Sequence, residues 1–336
     1  MIKRVIKLIS ALAIIALIAM GIIHLFQPKT SHPPANSPGI SLPAPAPAPP
    51  SHASRQLSPG GHSLRTVNRP PSNVLPVNLR ILLGLAGVPA DFRNRHSSLK
   101  NLTRRLPASE IAPLLTFLET PFGDSQGLRP MELSALKNDI LDVLMRQDQP
   151  VPGLGARVAA MCRNPEHDDI WRDYCIQYLA GCYENSRAAG SVAEQEAVSA
   201  ACWAAVTQSG KSLSGTALIG LESLSRKYPE IDRERVGQTA AALADDQRAC
   251  EATRITALRL SGMLKRSEAL DAARFVAQVG ATVPLRMAAI ATLGELGDFA
   301  DLIYLQETAV QDTPRFKPII EAAVQNLRTR LGLKKG

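Results

Sequence analysis

The sequence predicts an all-α fold: helical hairpins stacked in a solenoid, behind an N-terminal membrane-spanning segment and a Pro-rich linker. Three observations carry this. A helix signature recurs 32 residues apart, reading R-I-T-A-L-R-L-S-G-M-L from Arg254 and R-M-A-A-I-A-T-L-G-E-L from Arg286. A small or apolar residue falls at offsets 3, 4, 7 and 10 from each Arg, which lays one apolar stripe along an α-helix. Aromatic residues make up only 4% of the chain, while Ala and Leu dominate. That composition suits closely packed helices and suits sheets poorly. Finally, short breaks containing Pro, Gly, Asn or Asp punctuate the second half at intervals of one hairpin, as a helical repeat array requires.

The elements follow in order. Residues 1–7 carry Lys3, Arg4 and Lys7 and form a basic, cytoplasmic n-region. Residues 8–26 are apolar, broken only by Ser10 and His24. A helix rises about 1.5 Å per residue, so this run nearly spans a hydrocarbon core of about 30 Å. A cleavable signal peptide is the competing reading. Ala19-Met20-Gly21 is a poor cleavage site, because Ile22, Ile23, Leu25 and Phe26 continue the apolar run past it. The uncleaved anchor is favoured, and no Cys precedes Cys162 to serve as a lipidation site. Residues 27–73 are rich in Pro, Ser, Ala and His, and Pro43 to Pro50 alternates Pro and Ala. This segment reads as a disordered, partly polyproline II spacer. Residues 74–336 form the helical domain. The expected topology is a single-pass bacterial inner-membrane protein with its bulk in the periplasm.

Within that domain, first helices are predicted to begin near Ala108, Gly153, Ser191, Ile231, Ser267 and Phe299, in steps of 45, 38, 40, 36 and 32 residues. The second helices carry the stripe. Its positions are Cys175, Ile176, Leu179 and Cys182 counted from Arg172, and Ala217, Leu218, Leu221 and Leu224 counted from Ser214. They are Ala257, Leu258, Ser261 and Leu264 counted from Arg254, and Ala289, Ile290, Leu293 and Leu296 counted from Arg286. The small offset-3 residue is expected to admit the next helix. The last pair, with Ile319, Ile320, Ala323, Val324 and Leu327, departs from the pattern, as a capping repeat should.

Arg286 to Asp298, R-M-A-A-I-A-T-L-G-E-L-G-D, resembles the second helix of a HEAT-like repeat of the lyase type. The resemblance is best over about 248–312 and reaches back to about 168. It implies a curved stack of antiparallel helices serving as a scaffold or docking surface. It brings no catalytic residues.

Charge narrows the partners. The net charge is +8, yet residues 1–73 hold seven of the 38 Lys and Arg and no Asp or Glu. The domain is left with 31 basic against 30 acidic residues, without the concentrated basic face that nucleic acid requires. Its local excess is Arg93, Arg95, Lys100, Arg104 and Arg105, read as a solvated helix face or as a contact for anionic headgroups near the anchor.

Arg172, Arg254 and Arg286 recur at one repeat position. They form either a structural ladder or a row of cations for acidic peptides. Among the five cysteines, helix 168–185 folded against helix 191–208 sets Cys175 opposite Cys202, the expected disulfide if the domain is exported. The alternatives are that Cys175 and Cys182 are small core residues on the stripe, or that Cys162 and His167 take part in a metal site, at a spacing that matches no common zinc pattern. Residues 205–212, A-V-T-Q-S-G-K-S, resemble a degenerate phosphate loop. The preceding segment is Ala- and Glu-rich helix rather than strand, so Gly210 reads as a helix C-cap and Lys211 as a cation at that helix end.

No arrangement of nucleophile, base or metal ligands emerges, so no cofactor, metal or catalytic residue is assigned. The sequence favours a membrane-anchored, non-catalytic scaffold for protein partners. The alternatives are an enzyme or accessory subunit of the lyase-like HEAT type, and a lipid- or glycan-contacting module.

Overall fold

The computed structural model describes residues 105–121, 129–279, 282–311 and 314–333. The anchor, the linker and the basic residues Arg93, Arg95, Lys100 and Arg104 lie outside them. Every regular element described is helical. The α-helices are α1 Ala108–Glu119, α2 Pro130–Met145, α3 Leu154–Arg163, α4 Asp169–Ala188, α5 Val192–Val206 and α6 Ser212–Ser225. They continue as α7 Arg233–Asp245, α8 Glu251–Met263, α9 Leu270–Gln278, α10 Val283–Leu296, α11 Phe299–Gln311 and α12 Lys317–Arg330. A 3-10 turn, Ser267–Ala269, leads into α9. Among the described residues no helix is long and apolar enough to cross a membrane.

The twelve helices make six consecutive pairs. Each first helix starts within three residues of its expected position. Local chemistry sets several of these starts. Asp168 accepts from the amides of Ile170 and Trp171 at 3.0 Å each, and Asp232 accepts from Glu234 and Arg235, so both cap helix N-termini. Pro130, Pro284 and Pro318 occupy first-turn positions, where a missing N–H costs nothing.

Packing is nearest-neighbour. Each pair's two helices pack on each other, and second helices pack on second helices of the next pair: α2 on α4, α4 on α6, α6 on α8, α8 on α10 and α10 on α12. All the principal helix–helix contacts join one pair or adjacent pairs. The stripe supplies the core. Fourteen of its sixteen named positions are buried, and only Leu264 and Leu296, which close α8 and α10, are half-exposed. Full burial of a large aliphatic side chain is worth about 1.5–3 kcal/mol, so the Leu and Ile residues of this seam add to the stability that the buried residues of the first helices supply.

The offset-3 residue is fully buried in all four copies, but close approaches between second helices fall at glycines elsewhere: at Gly215 of α6, where a Cβ would stand 3.1 Å from the Cα of Thr253 on α8, and at two offset-8 glycines. A Cβ on Gly294 would sit 2.8 Å from the Cα of Ala323 on α12. One on Gly262 would meet Glu295 of α10 at 3.3 Å. Both glycines stand at the same place in the two copies that define the signature.

Candidate functional site

The recurrent arginines converge on the ends of the first helices. Arg172 Nε donates to the carbonyl of Cys162 at 2.9 Å, Arg254 Nε to Ala244 at 3.5 Å and Arg286 Nε to Ala277 at 3.0 Å. Each acceptor is the penultimate residue of its helix: α3, α7 and α9. The copy that lacks Arg does the same with a hydroxyl, since Ser214 Oγ donates to the carbonyl of Val206, the last residue of α5, at 2.7 Å. In the first pair Lys137 Nζ reaches Leu118 O at 3.2 Å and Thr120 O at 2.5 Å, closing α1. Five consecutive pairs therefore share one device. A side chain of the second helix donates to a backbone carbonyl at the end of the first, where carbonyls lack intrahelical partners and the helix dipole favours a cation.

The three arginines differ in exposure, with Arg172 buried and Arg254 and Arg286 half-buried. Arg172 is only 5% exposed, and its other nitrogens bond Asp169 Oδ1 at 3.0 Å and Gln208 Oε1 at 2.8 Å. Arg286 also lies over the Phe316 ring, 4.6 Å from its centroid. These bonds to helix ends are of the kind a structural ladder would make.

Around Lys137 and Arg172 the second pair gathers a buried polar cluster that sequence reasoning does not single out. Ser134 Oγ donates to Asp168 Oδ1 at 3.4 Å, and Lys137 Nζ lies 5.4 Å from the centroid of the Trp171 ring. His167 is buried between these groups. Burial, then the nearby Lys137 and Arg172 cations, lower its pKa to about 4. Burial likewise lowers the Lys137 ammonium to about 8. His167 Nδ1, Asp168 Oδ2 and Trp171 Nε1 find no hydrogen-bond partner among the described residues. A signal exists for Lys137: it lies four residues from both Leu133 and Leu141, in line with the apolar stripe of α2.

All five cysteines are free thiols, so the expected Cys175–Cys202 bridge is absent from the structure. Cys175 on α4 and Cys202 on α5 both lie near Cys162 and Cys182, and Cys175 also lies near Lys137 and Asp168. Burial raises Cys162 to about 11, raises Cys182 and Cys202 each to about 12, and raises Cys175 well above the usual thiol value, so these thiols stay protonated at neutral pH. Cys250, at the N-cap of α8, is half-buried, and its thiol contacts Thr253 Oγ1 at 3.3 Å.

The phosphate-loop resemblance dissolves. Helix α5 precedes the segment, where a strand is needed. Lys211 is the N-cap of α6 rather than a cation at the end of α5, and its Nζ pairs with Asp169 Oδ1 at 2.9 Å. Gly210 does not adopt the left-handed conformation of a glycine C-cap. Of the basic stretch only Arg105 is described, exposed and paired with Asp148 at 3.0 Å.

Among the described residues no three His, Cys, Asp or Glu side chains assemble as metal ligands. The described residues form two small concavities of note. One, of about 200 Å³, lies between the α2–α3 connection and helices α4 and α5. The other, of about 170 Å³, lies across the second helices α8, α10 and α12. Comparison with protein-family models, with curated proteins and with solved structures finds no match.

Proposed function

We propose that this chain is a membrane-anchored, non-catalytic interaction scaffold. Residues 8–26 hold it in a bacterial inner membrane, residues 27–73 lift the domain off the bilayer, and residues 74–336 form a HEAT-like solenoid displayed in the periplasm to protein partners. The observation that carries the repeat reading is the helix-end device shared by five consecutive pairs, set in nearest-neighbour packing. Such arrays are quasi-one-dimensional and present extended binding surfaces. Exposed apolar side chains support a docking role: Ile219 and Met263 on second helices, and Phe275, Val279, Phe299 and Ile303 on first helices. Large side chains of this kind mark interaction sites when they face solvent together. Lys137 of the first pair and Arg172 of the second turn inward and hold helix ends, an arrangement suited to support.

The test is in-cell crosslinking of the full chain, detergent extraction, affinity purification and mass spectrometry, with a variant lacking 74–336 as control. A reproducible set of protein partners that requires 74–336 is the expected result. Absence of any domain-dependent protein partner overturns the scaffold reading and moves weight to a lipid, glycan or lyase-like accessory role.

A further inference from the structure

The cavity beside α4 has chemistry that the scaffold reading does not use. Its wall is the Pro150–Gly153 segment, turned sharply at Gly153, whose φ of +71° is in the left-handed region. Helices α4 and α5 contribute Cys182, Ser191 and Glu194, and α2 contributes Met145. Two sulfurs meet there. The Cys182 thiol, on a residue only 2% exposed, donates to the Met145 thioether with Sγ and Sδ 3.6 Å apart. The methionine is seated by its neighbour. A Cβ on Gly181 would stand 2.9 Å from the Met145 Cε, so a glycine beside the cysteine makes the space that the terminal methyl fills. Glu194 adds a carboxylate to the same wall. Its Oε1 is held by the amides of Gly155 at 2.5 Å and Ala156 at 3.3 Å, at the start of α3.

A thiol hydrogen-bonded to a thioether is a pair in which a soft monovalent cation takes the place of the shared proton. Thiolate and thioether together select Cu(I) over harder ions. A metal–sulfur bond is about 2.3 Å, and half the sulfur–sulfur separation is less than that, so one ion bonds both sulfurs without moving either. The ion then sits off the line joining the sulfurs, which leaves a coordination position for an exchangeable ligand. We propose that Met145 and Cys182 form a Cu(I) site entered through this cleft. On binding, the Cys182 S–H bond breaks and a sulfur–copper bond forms. The thiol proton leaves to solvent, and the copper oxidation state does not change. The Glu194 carboxylate in the same cavity wall favours a cation there.

The test is anaerobic competition of the reduced full-length protein with a chromophoric Cu(I) chelator, using Cu(I) itself as the probe. X-ray absorption is then recorded at one equivalent. Met145→Leu conserves volume and removes no thiol. It is expected to weaken the tightest equivalent at least tenfold and to reduce the sulfur count around copper by one. Cys182→Ser is expected to abolish that equivalent, while Cys250→Ser leaves it unchanged. If Cys182→Ser does not fold, Met145→Leu, checked by its helical circular dichroism, still decides. Unchanged affinity and an unchanged sulfur shell in Met145→Leu, or no stoichiometric binding by the native protein, overturns the proposal.

Discussion

His167 shows how one side chain makes the fold sensitive to acid. It is buried beside Lys137 and Arg172, and its imidazole stays neutral in the folded chain down to about pH 4. In the unfolded chain it takes a proton near the ordinary value of about 6.5. Between those limits the unfolded state binds more protons, so stability is full above about pH 6.5 and falls as pH drops toward 4. The loss from this one group is up to about 3 kcal/mol. Urea unfolding followed from pH 7 to 4.5 should show it, and His167→Gln should flatten the slope. A variant whose midpoint falls with acid as steeply as the native protein's would assign the sensitivity to other groups. Ser214 teaches a second lesson at this scale. A signature judged by residue identity misses it, because a serine replaces the arginine while the carbonyl it serves stays at the same helix end. The bond, not the side chain, is what the repeat preserves.

At the scale of the helix, glycine position separates packing from propensity. Gly294 lies where a Cβ would collide with the backbone of Ala323, so Gly294→Ala should push α10 and α12 apart at a cost of about 1–3 kcal/mol. Gly220 lies within α6 with nothing within 4 Å of where a Cβ would stand, so Gly220→Ala should stabilise by about 0.5–1 kcal/mol through helix propensity alone. Opposite signs in thermal unfolding check both, and equal signs would mean that helix spacing is not set by Gly294. Helix starts are legible in the sequence because capping and turn residues act locally: Ser191, Asp232 and Gly153 each stand one position before a helix. The apolar stripe is legible because its period belongs to the helix itself. What escapes a sequence reading depends on partners far along the chain. The place of Lys137 in the α2 stripe marks it for burial, but nothing local names the end of α1 as its partner, and nothing local leaves Cys175 and Cys202 unbridged. Gly262 and Gly294 stand in plain view in both signature copies, but their role appears only once α10 and α12 are placed beside them. Lys211 reads from sequence as belonging to the end of α5, because its real partner, Asp169, lies 42 residues earlier.

For the molecule as a whole, nearest-neighbour packing makes stability local. Arg286→Met removes the bond to Ala277 and the stacking on Phe316, a loss of about 1–3 kcal/mol. Hydrogen exchange should accelerate in α9 to α12 and stay unchanged in α3 to α6. A uniform rise across all described helices would show that the array unfolds as one cooperative block. The same arrangement governs how the chain reaches its fold. Bonds between neighbouring pairs, such as Tyr183 to Glu230 and Arg172 to Gln208, close loops of 47 and 36 residues. Contact order is therefore low for a domain of this length, and loop-closure entropy never has to be met across the whole chain. Each hairpin finds its template in the hairpin that emerged just before it, so the domain is able to assemble progressively from its N-terminal end while the rest is still being delivered.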